Sequence, residues 1–364
     1  MPDQHNFAVI MAGGIGSRFW PMSRTAYPKQ FHDILGTGKT LIRMTYDRLL
    51  NVAPAENIYV VTNEQYLDQV MEQLPGMEEE RVLCEPYMRN TAPCIAYANF
   101  CIANRDPEAN IIVAPSDHLI TDERSFVQTV KLAIEETSQS NNLVTLGIKP
   151  SRPDTGYGYI QFEDDPLSDS DRIMDVKTFT EKPNLELAEK FLASGDFYWN
   201  SGIFIWSLKN IQRAFNEYLP EMYELFSAHQ SAFGTNNEKG AIEKIYSGCE
   251  NISIDYGIME KANDVRVVLS DFGWSDLGTW GSLYTHLDQD DQGNGVVSHR
   301  FMAYQSAGNV VYSQHPEKLV VLQGLSECIV VDTADVLMIC KKDDEQKIKS
   351  IVSDLKLNKS EGYV

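Results

Sequence analysis

Residues 1–150 alternate between short apolar runs and longer segments with helical spacing, and this alternation restricts the fold more than any other feature. The apolar runs have the length of buried strands and lie at 7–11, 58–62, 81–84, 111–114 and 143–147. The segments with apolar residues at helical intervals lie between them, at 41–50, 64–74, 92–103 and 125–138. Strands that alternate with helices are typical of parallel βαβ units. The sequence therefore predicts an α/β fold with a doubly wound, mostly parallel sheet.

The second half of the chain has a different pattern. Residues 158–162 and 173–179 alternate like strands with one solvated face, and they predict an insertion over the sheet, whereas 201–206 is again a continuous apolar strand. The polar stretch 288–295 has the composition of a linker. Short strands at even spacing follow it, at 310–312, 319–322, 328–331 and 336–339, before a closing helix near 345–355. We predict a large α/β domain at 1–287 and a small β-rich, β-helix-like domain with a terminal helix at 288–364.

Charge and composition exclude several classes of protein. The 364 residues carry a formal net charge of −21, which disfavours nucleic acid and anionic membranes as partners. No apolar window approaches the ~20 residues that span a bilayer, and the N-terminus lacks a signal-peptide pattern. The six cysteines are scattered without metal-binding spacing, which is typical of reduced thiols. We expect a cytoplasmic protein with no nucleic-acid or membrane partner.

Basic residues are locally concentrated near the N-terminus. Residues 1–43 contain two Asp and five basic residues, namely Arg18, Arg24, Lys29, Lys39 and Arg43. A basic pocket in an acidic protein suits a polyphosphate ligand, although chance clustering explains the same numbers. The surrounding motif decides between these interpretations.

A glycine-rich loop follows directly on the first predicted strand. It comprises Ala12, Gly13, Gly14, Gly16 and Ser17, and it continues to Arg18 and a Pro28-Lys29 pair. Glycines let backbone N–H groups converge on phosphate oxygens, and Arg18 and Lys29 would add positive charge. Two commoner motifs fail, because Phe19 replaces the last glycine of a dinucleotide-binding fingerprint and Asp33 replaces the first glycine of a Walker A loop.

The loop with its Arg and the Pro-Lys pair resembles the signature of the sugar-nucleotide pyrophosphorylase family, and the resemblance continues through almost the whole chain. The form 13–21 followed by 28–31 is most similar to the members that use GTP and mannose 1-phosphate. The resemblance implies a Rossmann-like nucleotidyltransferase domain, Mg²⁺ as cofactor, and catalytic roles for Arg18, Lys29 and Lys182. It implies nucleotide binding by the glycine loop and by Glu85, Arg89, Asn90 and Thr91.

The resemblance also assigns the metal and sugar residues. Asp117, at the carboxyl end of a predicted parallel strand, and Asp276 would hold the metal. Structural interpretations compete, since an Asp in these places also caps a helix or forms a turn. The sugar phosphate would bind to Gly156, Tyr157, Gly158, Glu181, Lys182, Asn200 and Asp255.

The implied reaction is an in-line attack of mannose 1-phosphate on the α-phosphorus of GTP, which gives GDP-mannose and pyrophosphate. A phosphate monoester is largely anionic at neutral pH, since its second pKa is near ~6, so no general base is required. Other nucleotide or sugar substrates, and a catalytically inactive sugar-nucleotide sensor, remain alternatives. Relatives are often dimers, so the C-terminal module is expected to form a homodimer. Some relatives carry a further cupin-like isomerase domain, and since the sequence ends at Val364 we expect no isomerase activity.

Overall fold

The structure is a computed structural model that describes residues 3–163, 172–358 and 361–364. Its strands are β1 (Asn6–Met11), β2 (Ile58–Asn63), β3 (Val82–Glu85), β4 (Asn110–Pro115), β5 (Leu119–Ile120), β6 (Leu143–Ile148), β7 (Tyr159–Phe162), β8 (Ile173–Thr180), β9 (Phe197–Ser207), β10 (Val265–Ser270), β11 (Trp274–Ser275), β12 (Gly295–Val297), β13 (Phe301–Tyr304), β14 (Val310–Ser313), β15 (Val320–Gln323), β16 (Cys328–Asp332) and β17 (Leu337–Lys341). Its α-helices are α1 (Leu41–Leu49), α2 (Leu67–Gln73), α3 (Thr91–Ala103), α4 (Glu123–Gln139), α5 (Leu185–Ser194), α6 (Leu208–Tyr218), α7 (Pro220–Ala228), α8 (Glu238–Gly248), α9 (Trp280–Tyr284) and α10 (Ile348–Leu357).

The described strands include a nine-stranded sheet in the order β3-β2-β1-β4-β9-β6-β10-β8-β7. Strands β3, β2, β1 and β4 pair in parallel, and so do β6 and β10. Strand β9 is antiparallel to both β4 and β6, and β8 is antiparallel to β7 and β10. The predicted α/β class is confirmed, but the prediction of a mostly parallel sheet is wrong, because five of the nine pairings among the described strands of this sheet are antiparallel. A continuous apolar run such as that of β9 reports burial on both faces but not strand direction.

The prediction that 158–162 and 173–179 form an insertion over the sheet is wrong. These residues form β7 and β8, which continue the same sheet beyond β10, and β7 also pairs with β9. Alternating polar and apolar residues suit a sheet strand with one solvated face as well as a separate layer. The periodicity therefore identified the strands but not their position.

Both faces of the sheet are covered. In β1, Phe7 and Val9 lie in one apolar cluster with residues of α3, and the alternating residues Ala8 and Ile10 are 0 % exposed on the opposite face. This burial explains why the β1 sequence is apolar throughout. The carboxyl end of β1 leads directly into the glycine-rich loop.

The contacts divide the chain into two compact units. The first comprises Met1–Gly13, Thr45–Ser116 and Ile120–Trp274, and it contains the nine-stranded sheet. The second comprises Gly14–Met44, Asp117–Leu119 and Ser275–Val364. The glycine-rich loop therefore begins in the first unit and continues in the second. The predicted division of the sequence after residue 287 stays a prediction.

The second unit is built on stacked parallel strands. Strands β12, β14 and β16 pair in parallel, as do β13 and β15, and β17 closes the stack antiparallel to β16. Its core combines Phe19 and Trp20, which follow the glycine loop, with Trp280, Val310 and Ile348. The segment after the glycine loop is thus part of the same core as the C-terminal strands.

The structure also bears on the expectations about membrane-spanning segments and about the cysteines. None of the helices in the described ranges is both long and apolar enough to cross a membrane. All six cysteines are free thiols, in agreement with the scattered spacing in the sequence.

Candidate active site

The glycine-rich loop is shaped by Gly16. Its φ of 70° lies in the left-handed region, and a Cβ at this position would lie only 2.5 Å from Cβ of Lys29. The Lys29 N–H donates to the carbonyl of Ile15 at 3.2 Å. A glycine is required here because the segment that carries Lys29 packs directly on the loop. Ser17, with Arg18 and Phe19, forms a single 3₁₀ turn immediately afterwards.

The start of the loop is held by β2. The N–H of Ala12 donates to the carbonyl of Val61 at 2.8 Å, and the hydroxyl of Thr62 donates to the carbonyl of Ala12 at 2.9 Å. The N–H of Ala12 therefore has a protein partner already. By contrast, a Cβ at Gly14 would meet no atom within 4 Å, so the backbone there borders open space.

Lys29 joins the two predicted metal ligands in the second unit. Its side chain is only 4 % exposed, and Nζ contacts the Asp117 carboxylate at 2.9 Å and the Asp276 carbonyl oxygen at 2.7 Å. The ammonium also lies 5.5 Å from the centroid of the Phe19 ring. Residues that are far apart in sequence are thus brought together, as the family resemblance implied for the two acids.

The environment of Asp117 favours a carboxylate. Burial alone would raise its pKa, but the positive charges of Lys29 and His118 outweigh burial and hold the pKa below its usual value. The side chain stays 30 % exposed, so one carboxylate remains accessible to a ligand. In the described part of the chain no group of three or more His, Cys, Asp or Glu side chains could hold a metal. Lys29 reaches Asp276 through its backbone carbonyl, and the Asp276 carboxylate accepts from the N–H of Gly278 at 3.0 Å. Carboxylate oxygens of this kind suit Mg²⁺, which takes most of its ligands from water and phosphate.

Glu85 is the central residue of the predicted base-binding segment. It lies at the end of β3, is 6 % exposed, and accepts a hydrogen bond from the Tyr246 hydroxyl at 2.8 Å. Burial raises the pKa of Glu85 to about 7, and the bond from Tyr246 only partly offsets this. A Cβ at Gly13 would lie 3.8 Å from the other carboxylate oxygen, which is an ordinary van der Waals distance, so the start of the glycine-rich loop lies beside this carboxylate.

The neighbouring residues fix the start of α3. Asn90 caps the helix, with its side-chain oxygen accepting from the N–H of Thr91 at 3.0 Å. The hydroxyl of Thr91 accepts from the N–H of Ile254 at 2.9 Å. Both residues thus have structural roles in addition to any ligand contact. Nε of Arg89 is buried and has no hydrogen-bond partner among the described residues.

The predicted sugar-phosphate residues converge in the first unit. Asn200 donates from Nδ2 to Asp255 at 2.8 Å, and its N–H donates to the carbonyl of Gly158 at 2.8 Å. A Cβ at Gly158 would overlap Oε2 of Glu181, and Oε1 of Glu181 is ion-paired with Lys182. Five predicted residues therefore form one cluster. Gly156 and Tyr157 precede it in the same loop.

The electrostatics of this cluster suit a polar ligand. Burial raises the pKa of Asp255 to about 6, and the nearby charge of Glu181 adds to this effect. Burial opposes the charge on Lys182, but its contact with Glu181 and the negative charge of Asp255 raise its pKa above the usual value. Oε2 of Glu181 is buried without a hydrogen-bond partner in the described part of the chain. Such an acceptor is suited to a ligand hydroxyl.

Three of the five non-glycine residues with positive φ in the described part of the chain lie in or beside the predicted motifs, and the other two, Gln305 and Glu327, lie between strands of the second unit. Asn90, Lys182 and Leu277 have φ values of 68°, 47° and 44°, which non-glycine residues rarely adopt. Asn90 and Lys182 are themselves predicted binding residues, and Leu277 comes directly after Asp276. Strain of this kind persists where the surrounding structure fixes it, and it is concentrated at functional sites.

Comparison with known proteins identifies the family. The nucleotidyl transferase family matches residues 7–293, and the "MannoseP isomerase/GMP-like beta-helix domain" family matches 299–355. Curated mannose-1-phosphate guanylyltransferases of Escherichia coli and its strain K12 are 34 % and 36 % identical over 96 % of this chain, which covers 75 % and 73 % of their length. The chain belongs to the mannose-1-phosphate guanylyltransferase family of nucleotidyltransferases.

Two solved structures are also similar to this transferase. A crystal structure from Thermus thermophilus, described as a mannose-1-phosphate geranyltransferase, is 30 % identical, with a TM-score of 0.86 over 97 % of this chain and 100 % of that chain. A mannose-6-phosphate isomerase from Helicobacter pylori is 27 % identical, with a TM-score of 0.59 over 74 % of this chain and 99 % of that chain. The stacked β module predicted from sequence agrees with the β-helix family match.

Several residues of the transferase were not found by sequence reasoning. Arg152 bonds the Tyr157 hydroxyl at 3.2 Å and lies over the Trp199 ring. Tyr246 holds Glu85, and Glu260 accepts from the N–H of Glu181 at 2.9 Å. None of these residues lies in a motif with a recognisable spacing, since each reaches Tyr157, Glu85 or Glu181 from a distant position in the sequence. Only the tertiary structure identifies them.

Proposed function

We propose that this transferase moves GMP from GTP to mannose 1-phosphate and releases pyrophosphate. One observation supports the proposal most directly: charged residues predicted from sequence lie together in two clusters. Lys29, Asp117 and Asp276 form one cluster in the second unit. Glu181, Lys182 and Asp255 form the other in the first unit. The first cluster is suited to a polyphosphate and the second to a sugar phosphate. The names of the curated relatives support this pair of substrates.

Glu85 is proposed to select guanine. A carboxylate accepts hydrogen bonds from N1–H and the 2-amino group of guanine, whereas adenine has no donor in those positions. Because Glu85 is buried, an adenine base would leave the carboxylate with the Tyr246 hydroxyl alone, and an unmet acceptor costs far more at a buried site than at an exposed one. Its raised pKa implies that GTP binds more weakly below pH 7, where the acceptor becomes protonated.

The mannosyl group is proposed to bind at the second cluster. Oε2 of Glu181, which has no hydrogen-bond partner among the described residues, would accept from a sugar hydroxyl, and Lys182 would carry the positive charge for the 1-phosphate. Asn200 and Asp255, which are bonded to each other, would line the same site. Gly158 is required because a side chain would occupy the space against Glu181. Tyr157 packs edge-on against Trp199 and Trp274, with ring centroids at 4.9 and 5.3 Å, and so supports the loop.

The proposed reaction is a displacement at the α-phosphorus. An oxygen of mannose 1-phosphate forms a bond to that phosphorus, the bond to the α–β bridging oxygen breaks, and its electron pair leaves with pyrophosphate. No proton has to be removed from the nucleophile, because it is already anionic at neutral pH. The residues therefore act by positioning two anions and neutralising their charge, with Arg18 and Lys29 at the triphosphate and Lys182 at the sugar phosphate.

We propose Mg²⁺ as the cofactor. The carboxylates of Asp117 and Asp276 would hold it, and the bound ion would neutralise charge on the phosphate oxygens. Lys29 touches both residues and so fixes their position.

A homodimer through the C-terminal module is also proposed. Met302 pairs with Val321 across β13 and β15, and their exposed fractions are 45 % and 51 %. Adjacent exposed apolar residues favour association. Sedimentation of the wild type and of Val321→Lys tests this: a dimer that becomes a monomer supports it, and a monomeric wild type contradicts it.

The function is tested by measuring pyrophosphate release from GTP and mannose 1-phosphate, with Mg²⁺ and with a chelator. Parallel assays with ATP, UTP and dTTP, and with glucose 1-phosphate, separate this activity from that of a sister enzyme. We expect release that requires GTP, mannose 1-phosphate and the divalent ion together. Tight GDP-mannose binding without any pyrophosphate exchange would instead identify a sensor.

A further inference from the structure

The C-terminal helix of the second unit packs against the catalytic loop. Helix α10 contacts the Ser17–Phe19 turn, and Ile348 and Val352 from this helix lie in the same apolar core as Phe19 and Trp20. The Trp20 indole N–H also donates to the carbonyl of Tyr363 at 2.6 Å. The position of the loop and that of the helix are therefore fixed by the same contacts.

This packing brings two positive side chains together. Lys349, in the first turn of α10, is close enough to Arg18 for the guanidinium to be the main cause of a lowered lysine pKa. In the described part of the chain neither side chain forms a salt bridge, and the buried Nε of Arg18 has no hydrogen-bond partner. Two adjacent like charges without a counter-charge are unfavourable unless an anion binds to them.

Asp343, Asp344 and Glu345 come just before α10, and none of them is among the causes of the Lys349 pKa shift, which are Arg18 and burial. Asp344 forms an ion pair with Lys347 at 2.8 Å, and Glu345 accepts from the N–H of Gly281 at 2.8 Å. In a protein with a net charge of −21, an unneutralised Arg–Lys pair beside a glycine-rich loop is a specific feature and not a property of the whole surface.

We propose that Lys349 binds phosphate oxygens of the nucleotide together with Arg18, so that the C-terminal helix supplies part of the triphosphate site. The inference rests on the proposed function, because it assigns the anion as the triphosphate of GTP or the pyrophosphate that leaves. Charge-assisted contacts to phosphate are among the strong hydrogen bonds, and the loss of one corresponds to about a ten-fold or larger change in affinity.

The experiment compares full-length Lys349→Met and Lys349→Arg with Lys356→Met. Lys356 lies on the same helix, is exposed, and carries the same charge, so it controls for the loss of one positive charge. Steady-state kinetics give KM for GTP and mannose 1-phosphate in the forward direction and for pyrophosphate in the reverse direction. Calorimetry gives Kd for inorganic pyrophosphate with Mg²⁺, and thermal unfolding reports whether each variant is folded.

We expect Lys349→Met to raise KM for GTP and Kd for pyrophosphate about ten-fold, with Lys349→Arg close to the wild type and KM for mannose 1-phosphate unchanged. An unchanged pyrophosphate Kd in Lys349→Met, no measurable binding by the wild type, or an equal effect of Lys356→Met would overturn the inference. A wild type that binds pyrophosphate but forms no GDP-mannose would refute the proposed function instead. If Lys349→Met has a lower Tm than the wild type, Lys349→Gln is compared with the wild type instead. Both proteins are then measured at a temperature well below their unfolding transitions.

Discussion

At the scale of single residues, two buried charges have opposite surroundings. The Lys29 ammonium contacts the Asp117 carboxylate and the Asp276 carbonyl, so its charge is compensated in the protein. Glu85 has a hydroxyl from Tyr246 as a partner, and among the described residues no positive charge lowers its pKa. Burial of an ion is tolerated with a counter-charge and is costly without one. Lys29 is therefore expected to stabilise its cluster, whereas an ionised Glu85 destabilises the fold.

Replacement of Lys29 tests the first case. Lys29→Met removes the charge that holds Asp117 and is expected to lower kcat by about 10²–10³, the effect of losing one preorganised charged contact. Lys131→Met, which changes an exposed lysine of α4, is expected to keep normal turnover. Steady-state assays at saturating GTP measure both. Near-normal turnover of a folded Lys29→Met protein would exclude the role assigned to Lys29.

Replacement of Glu85 tests the second case. The pKa of Glu85 in the folded state, about 7, is above its usual value near 4.5, so its contribution to stability is present at low pH and is lost as the pH rises through 7. Glu85→Gln mimics the neutral form and is expected to raise the free energy of unfolding at pH 8 by roughly 2 kcal/mol, with little effect near pH 4.5. Urea unfolding at both pH values measures this, and exposed Glu243→Gln is the control. Equal stability of Glu85→Gln and wild type at pH 8 contradicts the assignment.

At the scale of elements, two buried asparagines, Asn294 and Asn309, link the stacked strands of the second unit. Asn309 is 0 % exposed, and Nδ2 donates to Asn294 at 2.9 Å and to the carbonyl of Leu325 at 3.0 Å. Its Oδ1 accepts from the N–H of Cys328 at 2.9 Å. The side chain thus satisfies backbone groups at turns that the strand pairing leaves free.

Asn309→Ala is expected to destabilise this element. The substitution leaves the buried Cys328 N–H without its partner, which costs about 1–3 kcal/mol, whereas the Leu325 carbonyl keeps its hydrogen bond from the N–H of Ala307 at 3.1 Å. Exposed Gln323→Ala in β15 is expected to have little effect. Chemical unfolding of both variants gives the comparison. Similar stabilities would mean that water replaces the asparagine.

Sequence periodicity predicted most elements but not the way in which they pair. The helices α3 and α4 and the strands β1, β2 and β4 agree with the predicted segments, because burial on one or two faces determines their spacing. The reversed direction of β9 and the inclusion of β7 and β8 in the same sheet depend on the connections in space, which no local pattern encodes. For the site, Lys29 and Asp117 lie in recognisable motifs, whereas Arg152, Tyr246 and Lys349 were identified only through their contacts.

At the scale of the whole molecule, the chain is organised by contacts and not by sequence order. Gly14–Met44 belongs to the same compact unit as Ser275–Val364, and Phe19 and Trp20 share a core with Val310 and Ile348. The family matches at 7–293 and 299–355 divide the sequence elsewhere. The segment that follows the glycine-rich loop shares its core with the C-terminal strands, so the loop depends on them for its structure.

Truncation after Leu287 tests this dependence. Removal of 288–364 takes away the strands and the helix that cover Phe19, Trp20 and Trp280, so three large aromatic side chains lose their neighbours. Exposed aromatic surface of this kind favours aggregation, and we expect an insoluble or inactive fragment. Soluble yield and transferase activity, compared with those of the full chain, provide the readout. A soluble fragment with full activity would contradict the account of the second unit.

The central claim is that the guanylyl group moves from GTP to mannose 1-phosphate. Its most direct test uses GTP labelled with ³²P at the α position or at the γ position, with mannose 1-phosphate and Mg²⁺. The account predicts that label from the α position appears in GDP-mannose and that label from the γ position appears only in pyrophosphate. If the α label stays in GTP, or if the γ label is transferred to the sugar, the claim is contradicted.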